Sequence, residues 1–106
     1  MFALFLAVAL LWGQPAAPFN FRSISVNQNS LDWQVENEQP FGQFFVQKKR
    51  VHTWVSFKVV NCKGEAGLVS YSTPAKLTAG RNHFRIKYLD VTGKSHYSPE
   101  VCYLKR

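Results

Sequence analysis

The chain lacks a helical signature: across its 106 residues, no stretch beyond about ten residues carries the 3.6-residue apolar period of an amphipathic helix. Acids are scarce too, six Asp and Glu against thirteen Lys and Arg, which leaves little material for paired-carboxylate chemistry. Nucleophilic catalysis needs a Ser or Cys beside a base that is itself oriented by a carboxylate. The bases on offer are His52, His83 and His96, none with a nucleophile-elbow motif near it. They read as solvent-facing strand or loop residues, and the chain as a non-enzyme. The six glycines never cluster as a P-loop or dinucleotide fingerprint, so no phosphate cradle is expected. Cys62 and Cys102 are the only cysteines, and even with His83 and His96 they show neither Cys-x-x-Cys nor His-x3-His spacing. Neither a metal nor a cofactor is expected.

What is present suits a single core: 46% of residues are hydrophobic and 15% aromatic, in a chain too short for two domains. Residues Phe2 to Trp12 form an unbroken apolar run of eleven, followed by Gly13-Gln14-Pro15-Ala16-Ala17-Pro18. A helix needs about 20 apolar residues to cross a bilayer, so this run predicts no membrane span. It reads as the hydrophobic region of a signal peptide over residues 1–17, cleaved near Gly13 to Ala17, which implies export to the periplasm, cell surface or medium. An apolar first strand is the alternative.

From Pro18 onward the chain alternates as strands do. Phe19 to Val26 is mixed, then Ser30-Leu31-Asp32-Trp33-Gln34-Val35 alternates cleanly, with Leu31, Trp33 and Val35 on one face. After a polar loop ending in Pro40, Gly42 to Arg50 predicts a third strand, with Phe44 and Val46 inward and Phe45 opposite. In the fourth, Thr53 to Val60, the apolar residues fit no single alternation, which predicts a bulge or burial on both faces. Leu68 to Ser72 is a short fifth strand. The strongest signal comes last: Phe84, Ile86 and Tyr88 alternate with Arg85 and Lys87, Asp90 to Lys94 supplies a turn around Gly93, and Ser95 to Leu104 returns. Seven short antiparallel strands over residues 19–106 predict an all-β, immunoglobulin-like sandwich, with Leu31, Trp33, Phe44, Val46, Phe84, Ile86 and Tyr88 in its core. The hairpin register places Arg85 opposite Glu100; a three-residue turn keeps that pairing only if Ser98-Pro99 bulges.

The segments Asp32 to Lys49 and Tyr71 to Val101 resemble the fibronectin type III-like module common in exported proteins of the Bacteroidetes. Gly80, Asn82, Phe84, Arg85, Ile86, Lys87, Asp90, Gly93, Lys94, Tyr97 and Ser98 occupy its final-hairpin positions. Phe84 stands where the family usually has Tyr, removing a hydroxyl that could tie a corner, and Thr92 stands in place of an Asp. The resemblance implies export, a binding or structural role and no catalytic residues. It also implies a sheet ordered last, sixth, third and fourth strand. That order separates Cys62 from Cys102 by two strands and predicts two free thiols.

A net charge of +7, all of it beyond Pro18, favours acidic partners such as polysaccharide or nucleic acid. Only Lys48-Lys49-Arg50 is a basic run, so a solvated face and a binding stripe are both open. Two binding functions follow. One is an extracellular module contacting protein or glycan, with Phe45, Trp54 and Tyr103 beside Lys48, Lys49 and Arg50 as candidate contacts. The other is a polyanion binder proper. Nucleic-acid recognition would call for paired aromatics on an exposed strand face with glycines nearby, and no such motif appears.

Overall fold

The computed structural model describes residues 18–106. The expected leader, residues 1–17, lies outside them. Eight strands follow one another: β1 (Asn20–Val26), β2 (Ser30–Glu36), β3 (Gln43–Arg50), β4 (Thr53–Asn61), β5 (Leu68–Pro74), β6 (Gly80–Leu89), β7 (Ser95–Tyr97) and β8 (Val101–Lys105). They form two antiparallel sheets packed as a sandwich, one ordered β1-β2-β5 and the other β4-β3-β6-β7, with β8 continuing the β7 side against β6. The order expected of the fourth, third, sixth and last strands is the one observed. The expected seven strands become eight because Ser98-Pro99-Glu100 interrupts the last one.

That interruption is the anticipated bulge. Register runs Lys87 to Tyr97 in β7 and Phe84 to Val101 in β8, a slip of one residue. Ser98 bridges the gap: its amide donates to the Ile86 carbonyl at 2.9 Å, and its hydroxyl accepts from the Ile86 amide at 2.8 Å. The hairpin before it closes through three residues, with the Asp90 amide donating to the Lys94 carbonyl and Gly93 at φ 90°, a conformation that costs glycine little. The Asp90 carboxylate accepts from the Thr92 hydroxyl at 2.5 Å and contacts His96 Nε2 at 3.0 Å. Those two contacts, Thr92 first, hold its pKa well below the usual carboxylate range.

All seven expected core residues are buried, joined by Val35, Val69 and Tyr71. Aromatic rings carry the contact between sheets. Trp33 of β2 stacks on Tyr71 at 5.5 Å and meets Phe44 edge-on at 5.7 Å, while Phe44 lies 5.0 Å from Tyr88. The mixed first strand is explained by a register shift at Arg22: Phe21 pairs with Val35 and Ser23 with Gln34, so the inward set changes from Phe19 and Phe21 to Ile24 and Val26. The fourth strand bulges likewise. Val46 pairs with Lys58 and Gln47 with Ser56, leaving Phe57 to turn inward against Phe84.

Two tyrosines do the loop-tying that Phe84 cannot. The Tyr71 hydroxyl donates to the buried carboxylate of Glu38 and accepts from the Lys63 amide at 2.8 Å. Burial, and then that carboxylate, push the Tyr71 phenol above its ordinary range. The Tyr88 hydroxyl accepts from the Gln39 amide at 3.0 Å. Gly42 makes room for it, since a Cβ at that position would lie 2.5 Å from the Tyr88 oxygen.

Candidate functional site

Alternation decides which side chains leave the core. On β6, Asn82, Phe84, Ile86 and Tyr88 point inward, so Arg81, His83, Arg85 and Lys87 point out. On β3, Phe44, Val46 and Lys48 point inward, so Phe45, Gln47 and Lys49 point out. Register then aligns them across the sheet: Val59, Phe45, Lys87 and Tyr97 in one row; Ser56, Gln47 and Arg85 in the next; then Trp54 beside Lys49, and His83 beside Cys102.

These rows interlock through cation–π contacts. The Arg85 guanidinium lies 4.5 Å from the Trp54 ring centroid and 4.3 Å from that of Tyr97, two rings from strands on opposite sides of β6. Lys49 lies 6.0 Å from Trp54 and Lys87 5.4 Å from Phe45. Arg85 Nε donates to Gln47 Oε1 at 2.7 Å, and Gln47 Nε2 donates to Ser56 Oγ at 3.2 Å. A polar chain thus crosses β6, β3 and β4 beneath the cations.

Charge is divided between the two sheets. The strands of the five-stranded sheet carry Lys48, Lys49, Arg50, Lys58, Arg81, Arg85, Lys87 and Lys105, and not one Asp or Glu. The three-stranded sheet carries Arg22 against Asp32 and Glu36, and Arg22 is paired with Glu36 at 3.0 Å. Basic residues that look scattered along the chain are therefore gathered on one sheet.

The residues singled out in sequence fare unequally. Phe45, Trp54 and Lys49 meet on the outer face as described. Arg50 is exposed at the end of β3. Lys48 is a correction: it is 5% exposed, and its ammonium donates to the Lys76 carbonyl at 2.8 Å and to Thr78 Oγ1 at 3.2 Å. It shares the inward parity of Phe44 and Val46, and burial, with Arg50 and Lys105 nearby, lowers its pKa. Tyr103 shares the inward parity of Val101, facing Asn82 rather than the outer rows. Arg85 and Glu100 make no ion pair among the described residues, because Arg85 turns instead to Gln47, Trp54 and Tyr97. Arg85, Lys87 and Tyr97 join this face without any binding motif of their own; alternation along the sixth strand, set beside the third, is the signal that places Arg85 and Lys87 on it.

The histidines and cysteines do not converge. His52 is exposed in the β3–β4 turn, His96 serves the hairpin, and His83 lies 4.0 Å from the Cys102 sulfur. Cys62 donates its thiol to the Gln39 carbonyl at 2.9 Å, and both cysteines are free. Among the described residues no group of three or more His, Cys, Asp or Glu is placed to hold a metal, and no helix is long and apolar enough to cross a membrane. Compared with known proteins, the chain matches no family model, no curated protein and no solved structure.

Proposed function

We propose that this protein is a non-catalytic, exported interaction module of fibronectin type III-like kind, and that it receives acidic partners, glycan or protein, on the outer face of its five-stranded sheet. The observation that carries this reading is the division of charge: eight cations and no acid on the strands of one sheet, of which Lys49, Arg81, Arg85 and Lys87 point from its outer face with aromatic rings set among them. Such a field draws anions and disfavours cationic partners. The strand order β4-β3-β6-β7 supports the module type. Export rests on the Phe2 to Trp12 run and the small residues after it; a mature amino terminus between Gln14 and Pro18 is expected, and a secreted chain that still carries Met1 would count against it.

Heparin affinity chromatography tests the binding reading. The mature domain should stay on the column beyond about 0.15 M salt and elute as salt rises, since each neutralised anion releases condensed counterions. Elution below that concentration would reduce the charge to a solubility feature.

A further inference from the structure

We infer that Arg85 is a preorganised receptor for a carboxylate, and that the ligand on this face is a uronate-bearing acidic polysaccharide. This deepens the reading of the basic face and rests on it. The argument begins with what holds Arg85. A free arginine side chain loses rotamer entropy when it grips an anion. Here much of that loss is met in advance, because the guanidinium is sandwiched between the Trp54 and Tyr97 rings and its Nε is committed to Gln47. Gln47 is itself 8% exposed and pinned by Ser56, so the support is rigid. Among the described residues no acceptor engages the two Nη nitrogens of Arg85, nor does any carboxylate pair with it. Two parallel N–H groups on a fixed plane match the two oxygens of a carboxylate. Lys49 and Lys87, on the same face, add unoriented positive charge on either side.

Other acidic ligands fit less well. The rings of Trp54 and Tyr97 already have Arg85 against them and Phe45 has Lys87, so no free ring pair offers nucleobases a stacking platform. An acidic peptide would join by a sheet edge or seat an anchor in a pocket, whereas Arg85 sits on an interior strand. Two clefts lie elsewhere, one of about 660 Å³ lined by residues such as Gln28, Leu77 and Tyr103 and another by Pro40, Phe41 and Cys62, while the cleft that reaches Tyr97 is lined by Phe19, Phe21 and His96 and not by Arg85. A shallow cationic face fits an extended polymer that bears a carboxylate on each sugar.

The experiment measures binding of the mature domain to immobilised polygalacturonate, dextran sulfate, poly-glutamate and single-stranded DNA at about 0.1 M salt. Arg85→Lys keeps the charge and removes the fork, and it should weaken polygalacturonate binding about 10-fold or more. Lys49→Gln and Lys87→Gln should each cost only about 2- to 5-fold. Gln47→Glu, nearly isosteric, offers the guanidinium an internal carboxylate and should abolish the Arg85-dependent part with the melting temperature retained. That variant keeps the test decisive if Arg85→Lys folds poorly. A loss in Arg85→Lys no larger than in Lys49→Gln would overturn the receptor assignment. An equal Arg85 dependence on dextran sulfate would overturn the choice of carboxylate, and tighter binding to poly-glutamate or DNA the choice of polysaccharide. If wild type binds none of the four polymers, the basic-face reading itself fails.

Discussion

Trp33→Ala takes away a large share of the domain's stability and brings a marginal domain to the edge of unfolding at 25 °C. Trp33 is 1% exposed and sits where the sheets meet, stacked on Tyr71 and edge-on to Phe44, so its removal opens a cavity walled by other rings. The lost transfer energy and that cavity together cost about 3–5 kcal/mol, against a total stability of about 5–15 kcal/mol for a domain of ordinary robustness. Among the described residues the indole Nε1 has no hydrogen-bond partner, so no broken hydrogen bond enters this loss. Trp33→Phe should therefore be far milder than Trp33→Ala. Urea denaturation followed by circular dichroism reads the difference; a loss under about 1 kcal/mol in Trp33→Ala would mean that the core does not depend on this ring.

Asn82→Ala should be the next most damaging substitution, at about 2–4 kcal/mol. Asn82 is fully buried, and its amide nitrogen donates to the carbonyls of Thr78 at 2.8 Å, Gly80 at 2.8 Å and Tyr103 at 3.1 Å. Its oxygen accepts from the Thr78 amide at 2.8 Å and approaches the Thr78 hydroxyl at 3.2 Å. One side chain thus closes the β5–β6 loop onto itself and ties it to β8. Alanine would strand several of those groups without partners, and burial makes each one expensive. Asn82→Asp keeps the acceptor for the Thr78 amide but should fare little better, because the oxygen that replaces the amide nitrogen faces three carbonyls and repels them. The urea midpoint decides again: with a slope of about 1–3 kcal/mol per molar urea, a shift under about 0.5 M is a loss of at most about 0.5–1.5 kcal/mol, which would show that water replaces most of what the side chain supplies.

How legible the fold was varies along the chain. The clean alternation of Phe84, Ile86 and Tyr88, and of Leu31, Trp33 and Val35, places core strands directly, since period-2 burial needs no tertiary information. The first and fourth strands look mixed because each carries a register shift, at Arg22 and at Phe57, that reverses inward and outward parity partway along. A sequence shows the broken pattern but not which residue absorbs it. Lys48 is a different case: it falls in step with Phe44 and Val46, yet a Lys-Lys-Arg run invites an exposed reading. What makes its burial tolerable, the Lys76 carbonyl and the Thr78 hydroxyl, arrives from a loop far along the chain.

The site was less legible than the fold, for a related reason. Charge looks dispersed when counted along the chain, because strands three, four, six and eight are neighbours in space and not in sequence. Arg85 owes its setting to Gln47, Trp54 and Tyr97, which come from three other strands. Each is ordinary alone, and only the pairing register brings them together.

If the basic sheet face, and not net charge, binds anions, two charge-matched triple variants should part company when the heparin measurement is repeated on them. Lys49→Gln, Arg81→Gln and Lys87→Gln together remove the cations around Arg85 on the face, while Lys63→Gln, Lys76→Gln and Lys94→Gln together neutralise exposed loop residues away from it. Both lower the formal charge from +7 by three, to +4. The face variant should lose retention at about 0.15 M salt while the loop variant stays close to wild type. Equal losses in the two would show that the protein binds through its overall charge and would contradict a dedicated face.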